Sequence, residues 1–138
     1  LHAGKVNDRR LNRNGDLWHA LNQVLEVIKS ERADYLLVAG DIFDKKLPDA
    51  ESLGLITEFF VKVSELKTKI VAVGGNHDSG LFLEAQTPWM EKFDIKLFTR
   101  PSRDRLLFAD GEIAFVGIPF ISERAITDLA EGEQKAKI

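Results

Sequence analysis

The sequence contains no cysteine, which excludes a disulfide framework and any thiolate metal site. A metal ion bound by this chain must be held by His, Asp, Glu or Asn. Histidine itself is scarce, with three in the chain, so each can be weighed individually. No apolar run approaches the ~20 residues a membrane span requires, and Leu1 to Arg13 lacks the apolar segment of a secretory signal. These absences point to a cytoplasmic chain with no membrane association. A formal charge of -3 argues against a uniformly basic nucleic-acid coat, although a local patch can serve inside an acidic protein. No internal repeat and no low-complexity linker divides the chain.

What remains is ordinary globular composition, 44% hydrophobic and 30% charged, in 138 residues, the size of one domain or a piece of one. Leu17, Leu21, Val24, Leu25 and Ile28 recur at helical spacing, predicting a helix over Asp16 to Glu31 with Asp16 as its cap. Tyr35 to Ala39 is a continuous apolar run ending in Gly40, the pattern of a strand buried on both faces. Pro48 and Asp49 open a second helix carrying Leu53, Ile56, Phe59, Phe60, Val63 and Leu66. The run Ile70 to Val73 is the next strand, and it stops at Gly74-Gly75. A strand, helix, strand sequence of this kind is a right-handed crossover, so both strand ends lie on one edge of the sheet.

Further on, a third helix is expected over Leu81 to Phe93, interrupted near Pro88, followed by a strand over Ile95 to Phe98. Leu106 to Phe108 and Ile113 to Val116 flank Asp110-Gly111, which predicts a hairpin joining antiparallel strands to the parallel ones. From Ser122 the chain becomes polar and helical. The expected fold class is α/β, a mixed β-sheet sandwich flanked by helices.

Two strand ends carry the chemistry. Gly40-Asp41-Ile42-Phe43-Asp44 follows the first strand, and Gly74-Gly75-Asn76-His77-Asp78 follows the second. Either alone reads as a turn or a helix cap, but at equivalent positions of adjacent strands the two should meet. One carboxylate can bridge two cations at the ~3.5 to 4 Å spacing of two-metal hydrolysis, and Asp41 is the candidate bridge. Asn76 offers a neutral amide oxygen to a second divalent ion. His77, beside it, is better placed to address a substrate phosphate. A carboxylate partner would fix its tautomer, and Asp44 on the facing loop is preferred to Asp78. His19, inside the first helix, reads as structural or as part of the surface. Lys5, Arg9, Arg10 and Arg13 gather positive charge against the single Asp8, either a solvated loop or a contact for a polyanionic backbone.

These motifs resemble the calcineurin-like metallophosphoesterases, and within them the SbcD-like DNA repair nucleases, over nearly the whole chain. Phosphoprotein phosphatases of the superfamily read Gly-Asp-x-x-Asp-Arg-Gly and Gly-Asn-His-Glu at these places. Here Lys45 and Lys46 follow Asp44, and Asp78 follows His77, which favours the nuclease branch. The superfamily's first motif, Asp-x-His, is matched by His2 in Leu1-His2-Ala3-Gly4-Lys5, with its aspartate falling one place before Leu1. The last motifs, Gly-His and Gly-His-x-His, have no counterpart, so the resemblance implies that residues 1–138 are a partial domain. It further implies a manganese-dependent nuclease with two divalent cations, His2 among the metal ligands, DNA beside the Lys5 to Arg13 loop, an SbcC-like coiled-coil ATPase partner and a homodimer. The alternatives are a phosphatase or cyclic-nucleotide phosphodiesterase on the same scaffold, or an inactive binding module.

Overall fold

A computed structural model describes residues 1–7, 11–101, 106–123 and 126–127. Helix α1 (Asn14–Glu31) buries Leu21 and Ile28 and packs Leu17, Val24 and Leu25 against the same core, as the apolar spacing requires. It begins two residues before the expected start. Asp16 is not its cap but lies in the first turn, where its carboxylate accepts from Arg13 Nε at 3.1 Å. The buried residue at the start is Asn14, whose backbone N–H donates to Asn12 Oδ1 at 2.8 Å.

Helix α2 (Ala50–Glu65) is capped as expected, with Asp49 accepting from the Ser52 amide. Ile56, Phe59, Phe60 and Val63 are each at most 1% exposed. Full burial of side chains of this kind contributes about 1.5 to 3 kcal/mol apiece, so this helix is the chief core element between the first two strands. Strands β1 (Tyr35–Ala39), β2 (Lys69–Val73) and β3 (Ile95–Phe98) form a parallel sheet in that spatial order. Ala39 pairs with Val73 and Val73 with Phe98, so the strands end level with one another.

The expectation that β1 is buried on both faces does not hold, since Leu37 is 62% exposed. Among the described residues β1 is an edge strand, and the central β2 carries the fully buried run Ile70, Val71 and Ala72. Helix α3 (Gly80–Met90) passes through Pro88 without the expected break. A proline cannot donate to the carbonyl four residues before it. Thr87 Oγ1 donates to that carbonyl, Glu84 O, at 2.8 Å. A 3-10 turn over Glu91–Phe93 then ends at Asp94, in the left-handed region.

Strands β4 (Leu107–Asp110) and β5 (Ile113–Val116) make the antiparallel hairpin. Its turn is shifted by one residue from the expected one. Asp110 pairs with Ile113 inside the ladder, and the loop residues are Gly111 and Glu112, with Gly111 supplying the positive φ of 61°. The hairpin does not extend the parallel sheet among the described residues but forms a second, two-stranded layer. Tyr35 and Phe115 meet across the layers with ring centroids 4.8 Å apart, and Tyr35 OH donates to Asp110 Oδ2 at 2.7 Å. Two β layers flanked by helices are the α/β sandwich expected. The helical tail expected from Ser122 falls largely outside the described residues. No helix among the described residues is long and apolar enough to cross a membrane.

Candidate metal centre

Because β1 and β2 are parallel and in register, the loops that follow them leave the sheet side by side. Gly40 has φ +86°, and a Cβ built there would lie 3.1 Å from Gly75 Cα. The tolerance at Gly75 is smaller still, because a Cβ there would lie 2.1 Å from Asp41 Oδ1. Two glycines therefore let the loops touch at the point where Asp41 must sit.

Asp78, 9% exposed, ties the loops together. Its Oδ2 accepts from Gly75 N at 2.8 Å and from Ile42 N at 3.1 Å, and its Oδ1 accepts from Phe43 N at 2.9 Å. The side chain thus satisfies amides of both motifs at once, which makes it a structural clamp rather than a partner for His77. The N-terminal segment joins the same assembly through a parallel bridge of Ala3 to Phe43. His2 N donates to Asp41 O at 2.7 Å, and Asp44 N donates to Ala3 O at 2.9 Å.

Within this frame His2, Asp41 and His77 offer ligand atoms that all lie within 4.8 Å of one another. His2 Nε2 is 3.4 Å from Asp41 Oδ2, while the other carboxylate oxygen of Asp41 accepts from His77 N at 3.2 Å. The His2 and His77 rings meet edge to face with centroids 4.9 Å apart. His2 and Asp41 both hold positive φ, 56° and 47°. Such conformations cost of order 1 to 3 kcal/mol each in residues other than glycine and concentrate at functional sites.

The donor set suits a divalent cation. His2 Nδ1 is buried without a hydrogen-bond partner. It lies 3.3 Å from Asp44 Oδ1, an ion-pair distance that does not meet hydrogen-bond geometry. Imidazole and carboxylate groups brought this close, with one ring nitrogen unsatisfied, are the ligand chemistry of zinc, manganese and iron ions. His77 is oriented from outside the cluster, since its Nδ1 lies 3.0 Å from Asp44 O. A carbonyl oxygen only accepts, so Nδ1 carries the proton and Nε2 is left free for a cation or a substrate.

Asp44 therefore reaches His77 as expected, but through its main-chain carbonyl; its carboxylate turns to His2 instead. The loop geometry explains the exchange, because Asp44 N is already fixed to Ala3 and carries its side chain toward the N-terminal segment. Asn76 is exposed, and its amide makes no hydrogen bond among the described residues.

Lys5 and Arg13 root the basic loop beside His2. Lys5 N donates to His2 O at 3.1 Å, Arg13 N donates to Lys5 O at 2.9 Å, and Val6 and Asn12 close the loop by an antiparallel bridge. Arg13 is paired with Asp16, so part of its charge is already compensated. Arg9 and Arg10 lie outside the described residues.

A network that sequence patterning did not disclose supports the His2 segment. Buried Asn14 accepts from Gly4 N at 2.8 Å through Oδ1, and its amide donates to Glu51 Oε1 and Ser52 Oγ. Gly4, at φ +88°, could carry no side chain here, because its Cβ would meet Ser52 Oγ at 2.7 Å. The only sequence signal was an asparagine at the start of an apolar helix, a place where a cap is the ordinary reading.

Comparison with known proteins agrees with this geometry. Residues 1–129 match the family described as calcineurin-like phosphoesterase. The chain is 29% identical over 123 residues to the SbcD component of the nuclease SbcCD from Staphylococcus epidermidis, covering 88% of this chain and 31% of that protein. It is 26% identical over 106 residues to the same component from Staphylococcus saprophyticus, covering 76% of this chain and 28% of that protein. A DNA double-strand break repair protein Mre11 from Nanoarchaeum equitans is 29% identical over 84 residues, 61% of this chain and 23% of that protein. The chain spans less than a third of the length of these relatives. It belongs to the calcineurin-like phosphoesterase family, and the family implies divalent metal ions at a site of this kind.

Proposed function

We propose that the protein carrying this chain is a metal-dependent DNA nuclease of double-strand-break repair, similar to SbcD. The observation that carries the reading is the convergence of His2, Asp41 and His77 within 4.8 Å at the level ends of two parallel strands. The names of the relatives supply the substrate class, and the basic loop rooted on His2 supplies a path for the DNA backbone.

Divalent ions at such a site, with manganese the ion of choice, supply charge that polarises a phosphodiester and a nucleophile drawn from water. In this assignment His2, Asp41 and Asn76 would hold the cations. His77 presents Nε2 to the phosphate, where it stabilises developing charge or protonates the leaving oxygen. Asp44 positions His77 through its carbonyl, and its carboxylate stands beside His2. Lys5, Arg9, Arg10 and Arg13 neutralise backbone phosphates and fix the register of the DNA without reading its sequence. The protein would work in the cytoplasm as a homodimer with an SbcC-like coiled-coil ATPase.

The test is degradation of linear DNA by the protein carrying this chain. Cleavage that requires Mn2+ and stops with a chelator is the expected result. Rapid hydrolysis of phosphate monoesters with intact DNA would replace the nuclease with a phosphatase.

A further inference from the structure

A cleft of about 410 Å³ is lined in part by Gly74, Gly75, Asn76 and Asp78 of the loop after β2. Its volume falls within the range of small-ligand sites. Lys46, Arg100, Leu81 and Phe120 are among the other lining residues.

The cleft is built rather than incidental. Phe120 N donates to Gly74 O at 2.9 Å, which fixes the phenylalanine to the end of β2 next to the Asn76 loop. Gly80 in the lining lets Arg100 and Thr99 approach, because a Cβ there would lie 2.5 Å from Arg100 Cγ and 2.8 Å from Thr99 O. Arg100 is held in place by an ion pair with Glu84. Lys46, by contrast, has no ion-pair partner among the described residues.

Phe120 is 55% exposed despite its anchored backbone. A half-exposed aromatic ring on an anchored backbone, in a cleft with an unpaired cation, is a combination that binds single-stranded nucleic acid, the ring taking a base and the cation a phosphate.

We propose that this cleft takes one unpaired nucleotide next to the phosphate being cut, with its base stacked on Phe120 and its backbone phosphate held by Lys46. The proposal rests on the nuclease reading and deepens it, because it requires the DNA end to be unpaired by at least one nucleotide at the site. Leu81, 68% exposed, is a second apolar side chain of the lining. Asn76, in the same lining, joins the cleft to the proposed metal site.

Fluorescence anisotropy of a 5′-fluorescein oligothymidylate of about ten nucleotides, within the usual site sizes for single strands, tests this with the protein in a chelator. Phe120→Ala should raise Kd about 5- to 100-fold, the range of one lost base stack, and Phe120→Tyr should restore binding. Lys46→Ala should flatten the dependence of log K on log salt by about 0.7, as one lost contact to a single strand does. Lys67→Ala, at the far edge of the sheet, should leave both unchanged. Unaltered oligonucleotide binding by Phe120→Ala, in a protein that still cuts DNA, overturns the cleft assignment and leaves the nuclease reading intact. Failure of the unaltered protein to bind the oligonucleotide while it still cuts DNA overturns the cleft assignment alone, and failure to cut DNA overturns both.

Discussion

The backbone N–H of His77 donates to Asp41 Oδ1 at 3.2 Å, so the two strand-end motifs are joined through the candidate bridging carboxylate itself. That bond commits one carboxylate oxygen to the protein and turns the other toward His2. The candidate metal centre and His77 are therefore coupled by position, and changes to either loop should be read in both.

Replacing His77 by alanine should lower DNA cleavage by about 100- to 10,000-fold, the usual contribution of a positioned acid or base. Manganese binding measured by calorimetry should persist. Loss of ion affinity in this variant would instead make His77 a ligand, a role its free Nε2 could fill.

Gly75→Ala should abolish Mn2+ affinity, because the new methyl would occupy the place of Asp41 Oδ1. The control is Gly54→Ala in α2, where an added Cβ meets nothing within 4 Å. That substitution should stabilise the fold by about 0.4 to 1 kcal/mol by restricting the unfolded chain. Urea denaturation of the two variants separates a site defect from a folding defect.

Removal of the Asp78 carboxylate by Asp78→Ala should cost about 2 to 5 kcal/mol, since three backbone donors lose a charged acceptor in a buried setting. Asp78→Asn should cost less. Its amide oxygen at the Oδ2 position keeps the bonds from Gly75 and Ile42, and its NH2 opposes only Phe43 N–H. Chemical denaturation midpoints should order the variants accordingly.

The contact of Asp110 with Lys69 and Tyr35 gives stability a shape against pH. The Lys69 ammonium, and then the Tyr35 hydroxyl, lower the Asp110 pKa. Its contribution is present above the ordinary carboxylate value and is lost as pH falls through the depressed value. Hydrogen bonds to Asp110 raise the pKa of Lys69 and of Tyr35. Their contributions hold below their ordinary values and fade as pH rises through the raised ones. The groups are solvated and screened by salt, so the effect is modest. Asp110→Asn should flatten the dependence of Tm on pH at both extremes, and an unchanged profile would show the contact to be without weight.

The fold was legible where structure follows from periodicity. The spacing of Leu21 and Ile28, the apolar runs of β1 and β2, and the cap at Asp49 each depend on near neighbours in sequence. From them the meeting of Asp41 with His77 followed, because a parallel crossover allows no other arrangement of its strand ends. The passage of α3 through Pro88 was not legible, since it depends on whether Thr87 turns its hydroxyl inward. Nor was the division of labour in Asp44, whose carbonyl and carboxylate serve different histidines. That outcome requires the N-terminal segment to lie beside residues 41–44, a contact across some forty residues that no local pattern encodes. Asn14 was missed for the same reason.

The clamp made by Asp78 has a consequence for motion. One carboxylate holds the amides of Ile42, Phe43 and Gly75, so neither loop can lift from the sheet edge while the other stays down. The three amides should exchange with solvent deuterium at a common rate, through a single opening event. A site organised in this way admits its ligand to a surface already assembled, and loses both halves together when it fails.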